Sequence, residues 1–243
     1  MSSPNKPLEG KTVIVTGAAR GLGAAIAERL ANDGANVIAT DVIDQEDSAP
    51  DSVLFMHQDI TDQNAWDEVV AKAKSEFGQL DALVNNAGID IGVSIEESTA
   101  EDIEKMFRVN QLGTFLGMKA AIEPLKEAGG GSIVNIASCV SMRGVPAQFP
   151  YASSKWAVRG MTKNAALDLA QYNIRVNAVH PGPTDTAIIR SKPKETQQML
   201  KDLIPLGRMG EPKDVANAVA FLLREESNFV SGADLEVDGA VFA

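Results

Sequence analysis

The 243 residues carry 44% apolar and 23% charged side chains, the balance of an ordinary globular chain, with no break in composition to divide them. A net charge of -11 and a pI near 4.7 exclude nucleic acid as a partner, because phosphates are repelled over most of the surface. One cysteine, Cys139, excludes an intrachain disulfide, and with His57 and His180 as the two histidines no cluster suits zinc, so any cofactor is organic.

Neither Met1 to Pro7 nor any later stretch approaches the roughly 18 uninterrupted apolar residues of a membrane span, which predicts a cytoplasmic protein with no membrane partner. Apolar, β-branched runs then alternate with helical patterns: Thr12 to Val15, Asn36 to Ala39, Val53 to Met56, Ala82 to Val84, Ser132 to Ile136 and Ile174 to Val179. Such near-continuous runs belong to parallel strands covered on both faces, wound by right-handed crossovers into one sheet. The expected fold is α/β: a single-domain, doubly wound parallel sheet with helices on both faces. Leu22, Ile26 and Leu30 make one helical stripe and Trp66, Val69, Val70 and Ala73 another, both read as core packing. Thr184 to Ile204 breaks the rhythm and reads either as a substrate lid or as an ordinary pair of surface helices.

The first strand runs through Thr16 into Gly17-Ala18-Ala19-Arg20-Gly21-Leu22-Gly23 and directly into a helix. In that context Gly17 permits a tight turn and Gly21 lets a pyrophosphate approach the backbone. The helix start at Leu22 offers N–H groups to the anion, and Gly23 lets helix and sheet pack closely. Such a turn also occurs as a purely structural device. Asp41 ends the second strand about 20 residues beyond the glycines, where a carboxylate accepts from ribose hydroxyls and repels a ribose phosphate. NAD is therefore expected over NADP, although Arg20, a cation in the phosphate turn, pulls the other way. Asp41 as a solvated turn residue beside Asp44 would explain neither its placement nor its spacing. Asp59 is placed to meet adenine, with Ile60 against the ring, and Asn86, Ala87 and Gly88 bring polar groups and bare backbone to the same edge. Each of these also fits a turn or a helix cap.

Tyr151 and Lys155 stand four apart at the start of the helical pattern Tyr151 to Leu169, so both project from one face. An ammonium near a phenol stabilises phenolate and draws its pKa down from about 10, as an acid or base for an alcohol requires. The spacing alone also fits packing with a snorkelling cation. In chain order stand Thr16-Gly17-x-x-x-Gly21-x-Gly23, Asn85-Asn86-Ala87-Gly88, Asn110, Ser138, Tyr151-x-x-x-Lys155 and Pro181-Gly182-x-x-x-Thr186. On these motifs the chain resembles the short-chain dehydrogenase/reductase family from Lys11 to Gly239.

The resemblance implies a Rossmann-like fold, a nicotinamide cofactor and interconversion of an alcohol and a ketone. It implies that Ser138 donates to the substrate oxygen and that Tyr151 exchanges a proton with it. Lys155 would hold the nicotinamide ribose and depress the Tyr151 pKa, while Asn110 would hold a water linking Lys155 to solvent. Thr186 and the backbone of Pro181, Gly182, Pro183 and Thr184 would fix the carboxamide. Taken singly, Ser138 is a small polar residue after a strand, Asn110 a cap or kink, and Thr186 a cap for a lid helix. Cys139 reads as a packing residue, His180 as a strand-end residue and His57 as structural. Where the family often ends in Asp-Gly-Gly, this chain has Asp238-Gly239-Ala240, in a region that the family commonly packs in a homotetramer, the assembly expected here.

Expected substrate contacts are Ser138 and Tyr151 with Asp90 to Val93, Val140, Met142, Gln148, Phe149, Pro183 and Ile188. Most are apolar, which points to a hydrophobic secondary alcohol or its ketone: cyclic, aromatic, terpenoid or steroid-like. Ser154 to Gly160 and Val179 to Gly182 look most like bacterial hydroxysteroid dehydrogenases. One rival, a 3-oxoacyl-carrier-protein reductase, is opposed by Asp41 and by a surface too acidic to dock an acidic carrier. The other, a non-enzymatic dinucleotide sensor, has no need of Asn110, Ser138, Tyr151 and Lys155 together.

Overall fold

The apolar runs become strands that feed two separate cores. A computed structural model describes residues 6–44, 52–191 and 193–243, with Ile188 as backbone alone. In chain order the elements are β1 (Thr12–Thr16), α1 (Gly21–Asn32), β2 (Asn36–Asp41), β3 (Val53–His57), α2 (Gln63–Phe77) and β4 (Ala82–Asn85). There follow α3 (Ala100–Met106), α4 (Thr114–Glu127), β5 (Gly131–Ile136), α5 (Phe149–Leu169) and β6 (Ile174–Pro181). The last are α6 (Ala187–Arg190), α7 (Lys194–Asp202), α8 (Pro212–Leu223) and β7 (Asp234–Val237).

The strands form one sheet in the order β3-β2-β1-β4-β5-β6-β7, each pair parallel. On one face Val13, Val15, Val37, Val84 and Val134 pack with Ile26 and Leu30 of α1 and Val215 and Val219 of α8. On the other, Ile14, Ile38, Leu83 and Ile133 pack with Trp66 and Val69 of α2, Leu125 of α4 and Leu169 of α5. Each such side chain contributes about 1.5–3 kcal/mol on burial.

The sequence pattern predicts six strands, and β7 is the correction. Asp234-Leu235-Glu236-Val237 lies at the sheet edge against β6 alone, so it is short and alternates polar with apolar instead of running apolar throughout. The Thr184 to Ile204 stretch contains α6 and α7, two short surface helices. Between α3 and α4, Phe107–Gly113 winds as a π-helix, a rare turn that carries Asn110. Strand order reverses between β1 and β4, which opens a crevice at the carboxyl ends of the strands.

Candidate active site

A cleft of about 940 Å³ follows that carboxyl edge. Every residue expected at the cofactor lies in its wall: Gly17, Arg20, Gly21, Leu22, Asp41, Asp59, Ile60, Asn86, Ala87, Gly88, Tyr151, Lys155, Pro181, Gly182, Thr184 and Thr186.

At one end the glycine turn is built by exclusion. A Cβ on Gly17 would lie 2.7 Å from Ala87 Cα, and one on Gly23 would lie 2.1 Å from Gly17 O. A Cβ on Gly21 would meet nothing within 4 Å, because that position faces the open cleft. Gly17 and Gly21 also hold φ of 65 and 62, the left-handed region that glycine occupies without penalty. Thr16 Oγ1 accepts from the N–H groups of Asn86 and Ala87, both at 3.1 Å. Asn86 Nδ2 donates to the carbonyls of Thr16 (2.9 Å) and Gly17 (3.0 Å), so its amide hydrogens hold the turn from behind. Beginning at Gly21, α1 has no acidic residue in its first turn, which leaves its N–H groups and positive dipole end facing the cleft. These residues fit a dinucleotide pyrophosphate.

Beside the turn, Asp41 accepts from the N–H groups of Ala19 (3.1 Å) and Val42 (2.8 Å), which clamps the carboxylate at the end of β2. Asp59 accepts from the Thr61 N–H and hydroxyl, both at 2.8 Å, and so shapes its own turn while lining the cleft. The cap of α2 is Asp62, through Asn64 N at 2.9 Å.

At the other end stand Ser138, just beyond β5, and Tyr151 and Lys155 in the first turns of α5. A buried chain sets α5 against the sheet: Asn85 Nδ2 donates to Asn135 Oδ1 and Asn135 Nδ2 to Thr162 Oγ1, both at 2.9 Å. Lys155 is buried and donates from Nζ to Ile136 O at 2.8 Å, with Nζ 5.8 Å from the Tyr151 ring centre. Burial pushes the Lys155 ammonium down to about 8, with the Asp90 charge partly opposing. Burial also holds the Tyr151 phenol above its ordinary range, and the Ser138 hydroxyl pulls the other way. The depression of the phenol expected from the ammonium is thus not met in this chain by itself, where dehydration dominates.

Asn110 is buried behind the cleft. Its amide accepts from Ile89 N (2.9 Å) and donates to Ile89 O (3.0 Å) and Ser154 Oγ (2.9 Å), which ties the loop after Gly88 to the second turn of α5. Both amide hydrogens are committed there. Thr186 occupies the N-cap position of α6 without a side-chain cap bond and lines the cleft.

Of the expected substrate contacts, Ser138, Tyr151, Pro183 and Asp90 line the cleft, whereas Ile91, Gly92, Val93, Val140, Met142, Gln148 and Phe149 do not. The short 3-10 turn Cys139–Ser141 carries the chain away after Ser138, and the Val140 carbonyl accepts from Trp156 Nε1 at 3.1 Å. Gln148 packs beside Gly92, on which a Cβ would stand 2.5 Å from its Nε2. The Ile188 side chain lies outside the described residues, and its neighbours Ala187 and Ile189 line the cleft. Arg143 stacks 4.0 Å from the Phe242 ring and Arg190 pairs with Asp185 at 2.8 Å, so neither lines it. Burial pushes the Cys139 thiol up to about 11, consistent with a packing residue.

The sequence gives no signal for Glu101, Glu104, Lys105 and Arg108, which reach the cleft from α3 and the π-turn; on a helix such charges read as a solvated face. Gln58, which precedes Asp59 at the end of β3, also lines the cleft. It is fully buried beside Asp59, and neither amide atom has a partner among the described residues. No described helix is long and apolar enough to cross a membrane.

A family model described as enoyl-(acyl carrier protein) reductase matches residues 17–241. A trans-4-hydroxycyclohexanecarboxylate dehydrogenase of Sinomonas cyclohexanicum is 40% identical over 98% of this chain and 95% of its own length. A 3-alpha-(or 20-beta)-hydroxysteroid dehydrogenase of Mycobacterium tuberculosis is 40% identical over 97% and 91%, respectively. A cyclopentanol dehydrogenase of a Comamonas species is 39% identical over 96% and 97%. With these relatives over nearly its whole length, the chain is an oxidoreductase of CH–OH groups that uses a nicotinamide dinucleotide, and it belongs to the short-chain dehydrogenase/reductase family.

Proposed function

We propose that the protein interconverts a cyclic, mostly apolar secondary alcohol and its ketone, with NAD as the preferred dinucleotide. One observation carries this reading: Ser138, Tyr151 and Lys155 share a single cleft with the glycine turn and Asp41. The dinucleotide, when bound, supplies the hydride donor or acceptor and, in its oxidised form, a positive ring charge. Ser138 holds the substrate oxygen by its hydroxyl. Tyr151 Oη gives a proton to that oxygen in reduction and takes one in oxidation, and burial favours the protonated phenol that reduction needs. Lys155 offers its remaining N–H groups to ribose hydroxyls, and Asn110 positions α5 beneath the pair.

Asp41 supports NAD, since a clamped carboxylate accepts from ribose hydroxyls and repels a phosphate in their place. The ring preference draws on the relatives, whose names specify cyclohexane, cyclopentane and steroid alcohols. Residues 184–204 act as a lid: α6 lines the cleft, and Met199 of α7 and Leu203 just after it stand exposed, apolar surface that closure would cover. Ile103, Phe107 and Phe115 form an exposed stripe along α3 to α4, with Leu167 exposed on α5, which supports a homotetramer. The setting is cytoplasmic.

The test is a panel of cyclic secondary alcohols and ketones with NAD(H) and NADP(H), followed at the reduced-nicotinamide absorbance. Turnover of ring alcohols with NAD at least tenfold above NADP is expected. Turnover confined to carrier-bound acyl substrates would overturn the reading.

A further inference from the structure

Just past β3, Gln58 lines the cleft, yet the residue is 1% exposed and neither Nε2 nor Oε1 has a partner among the described residues. A carboxamide carries two hydrogens and two lone pairs, and burying it unbonded opposes folding. Such a group marks either an internal water or a ligand. The backbone fixes its direction. Gln58 N donates to Asp41 O at 2.8 Å, one step beyond the pairing of Asp41 with His57, so the ladder of β2 and β3 continues through it. Alternation then gives Gln58 the face of Leu54 and Met56, which pack against the core of Ile60 and Trp66. Thr40, on the same face of β2, is also buried with its hydroxyl unpartnered among the described residues, but it does not line the cleft.

Neighbours in the cleft wall narrow what Gln58 can serve. Asp41 spends its carboxylate on the N–H groups of Ala19 and Val42, and Asp59 Oδ1 takes the N–H and hydroxyl of Thr61. Ile60 is apolar and wedged against Gly113, where a Cβ would stand 2.4 Å from its Cδ1. A carboxylate only accepts, so Asp59 can take a hydrogen from a base amino group but can give none to a ring nitrogen. A carboxamide does both from one planar group. Adenine asks for that pair, since its amino group donates and the ring nitrogen beside it accepts.

We propose that Gln58 is a specificity-determining residue for the dinucleotide: its carboxamide accepts from the adenine amino group at Oε1 and donates from Nε2 to the adjacent ring nitrogen. Three rotatable bonds separate the amide from the backbone, and no hydrogen bond among the described residues holds it, so it turns into the cleft without breaking one. Bonds left unmade in the chain by itself are made in the complex, which puts the whole gain into affinity for the adenine half. A water bridging Gln58 and Thr40 would satisfy the same atoms, and it predicts no dependence on the dinucleotide.

The inference rests on the adenine half lying along Asp41 and Asp59, and one experiment separates that placement from the role of Gln58. NADH and reduced nicotinamide mononucleotide, which lacks the adenosine half, are titrated by fluorescence into the intact protein and into Gln58→Met, which keeps the length and loses both polar atoms. The variant should bind NADH at least tenfold more weakly, about 1.4 kcal/mol, and the mononucleotide as the parent does, while melting at or above the parent. Parental NADH affinity in Gln58→Met would overturn the proposal in favour of an internal water, and an equal loss for both ligands would overturn it as a general distortion of the cleft. A parent that binds NADH no more tightly than the mononucleotide would instead remove the placement of the adenine half, and the proposal with it. Nitrogen NMR of the parent gives a readout independent of the variant. The Gln58 side-chain amide signals, assigned through the backbone, should shift with NADH and stay in place with the mononucleotide; signals unmoved by NADH would overturn the proposal.

Discussion

Replacing Gly23 by alanine tests the cofactor end of the cleft most directly. The new methyl would stand 2.1 Å from Gly17 O and 2.6 Å from Asn86 Nδ2, against about 3.4 Å for ordinary contact. The first neighbour is backbone and the second is bonded to Thr16 O and Gly17 O, so neither can swing aside. Relief must come from moving the glycine turn or the start of α1 by about 1 Å, and overpacking of this kind costs about 1–3 kcal/mol. In a chain of this size that lowers Tm by roughly 2–12 °C, at 2–4 °C per kcal/mol. Because the displaced groups form the proposed pyrophosphate cradle, the Kd for NADH should rise at least tenfold, which is about 1.4 kcal/mol. Gly21→Ala is the contrast. Its methyl meets no protein atom, so stability should fall by only about 1–2 kcal/mol for the left-handed backbone, while binding suffers because the methyl occupies the cleft. Thermal melts and fluorescence titration with NADH measure both quantities. Parental melting and parental NADH affinity in Gly23→Ala would refute the close approach on which the fit to a dinucleotide rests.

Tyr151→Phe should lower kcat in both directions by about 10²–10⁴ while leaving NADH affinity near parental, as judged by turnover and titration. In the parent, ketone reduction should hold through neutral pH and alcohol oxidation should climb as pH rises, since burial keeps the phenol protonated and oxidation needs phenolate. Lys155→Met should abolish turnover without lowering Tm at neutral pH, because a buried ammonium drawn down to about 8 opposes folding by up to about 3 kcal/mol, offset in part by its bond to Ile136 O. The sign follows from proton binding. The unfolded chain holds this proton up to its ordinary value of 10.5, so parental stability gains from this group as pH rises from about 8 to 10.5, and the variant lacks that gain. Ala240→Gly should raise stability by about 0.5–1 kcal/mol in a denaturant melt, because Ala240 holds φ of 72 where an L side chain is strained. That strain is tolerated because Asp238 accepts from Ala240 N (2.9 Å) and Phe242 N (3.1 Å).

Much of the cofactor end is readable from local sequence because its parts are backbone requirements. Gly17, Gly21 and Gly23 sit at fixed offsets from a strand end, and Asp41 at the end of the next strand, so periodicity places them before any contact is known. The reactive end is less legible. Tyr151 and Lys155 share a helix face by spacing alone, but their protonation depends on burial that no local pattern states. Asn86 and Asn110 lie at the expected positions, yet their amides serve the turn and α5. His180, which reads as a strand-end residue, meets Asp234 only because β7, the unpredicted strand, brings it alongside.

The sequence by itself determined the alternation of strand and helix, the parallel sheet and the residues at each strand's carboxyl end, since these follow from apolar periodicity and glycine spacing along the chain. Tertiary structure alone decided which polar atoms remain available for ligands and which are consumed in holding the site. That outcome depends on hydrogen-bond partners far apart in sequence, such as Asn135 with Thr162 or His180 with Asp234, and on the dehydration that burial imposes on Tyr151 and Lys155.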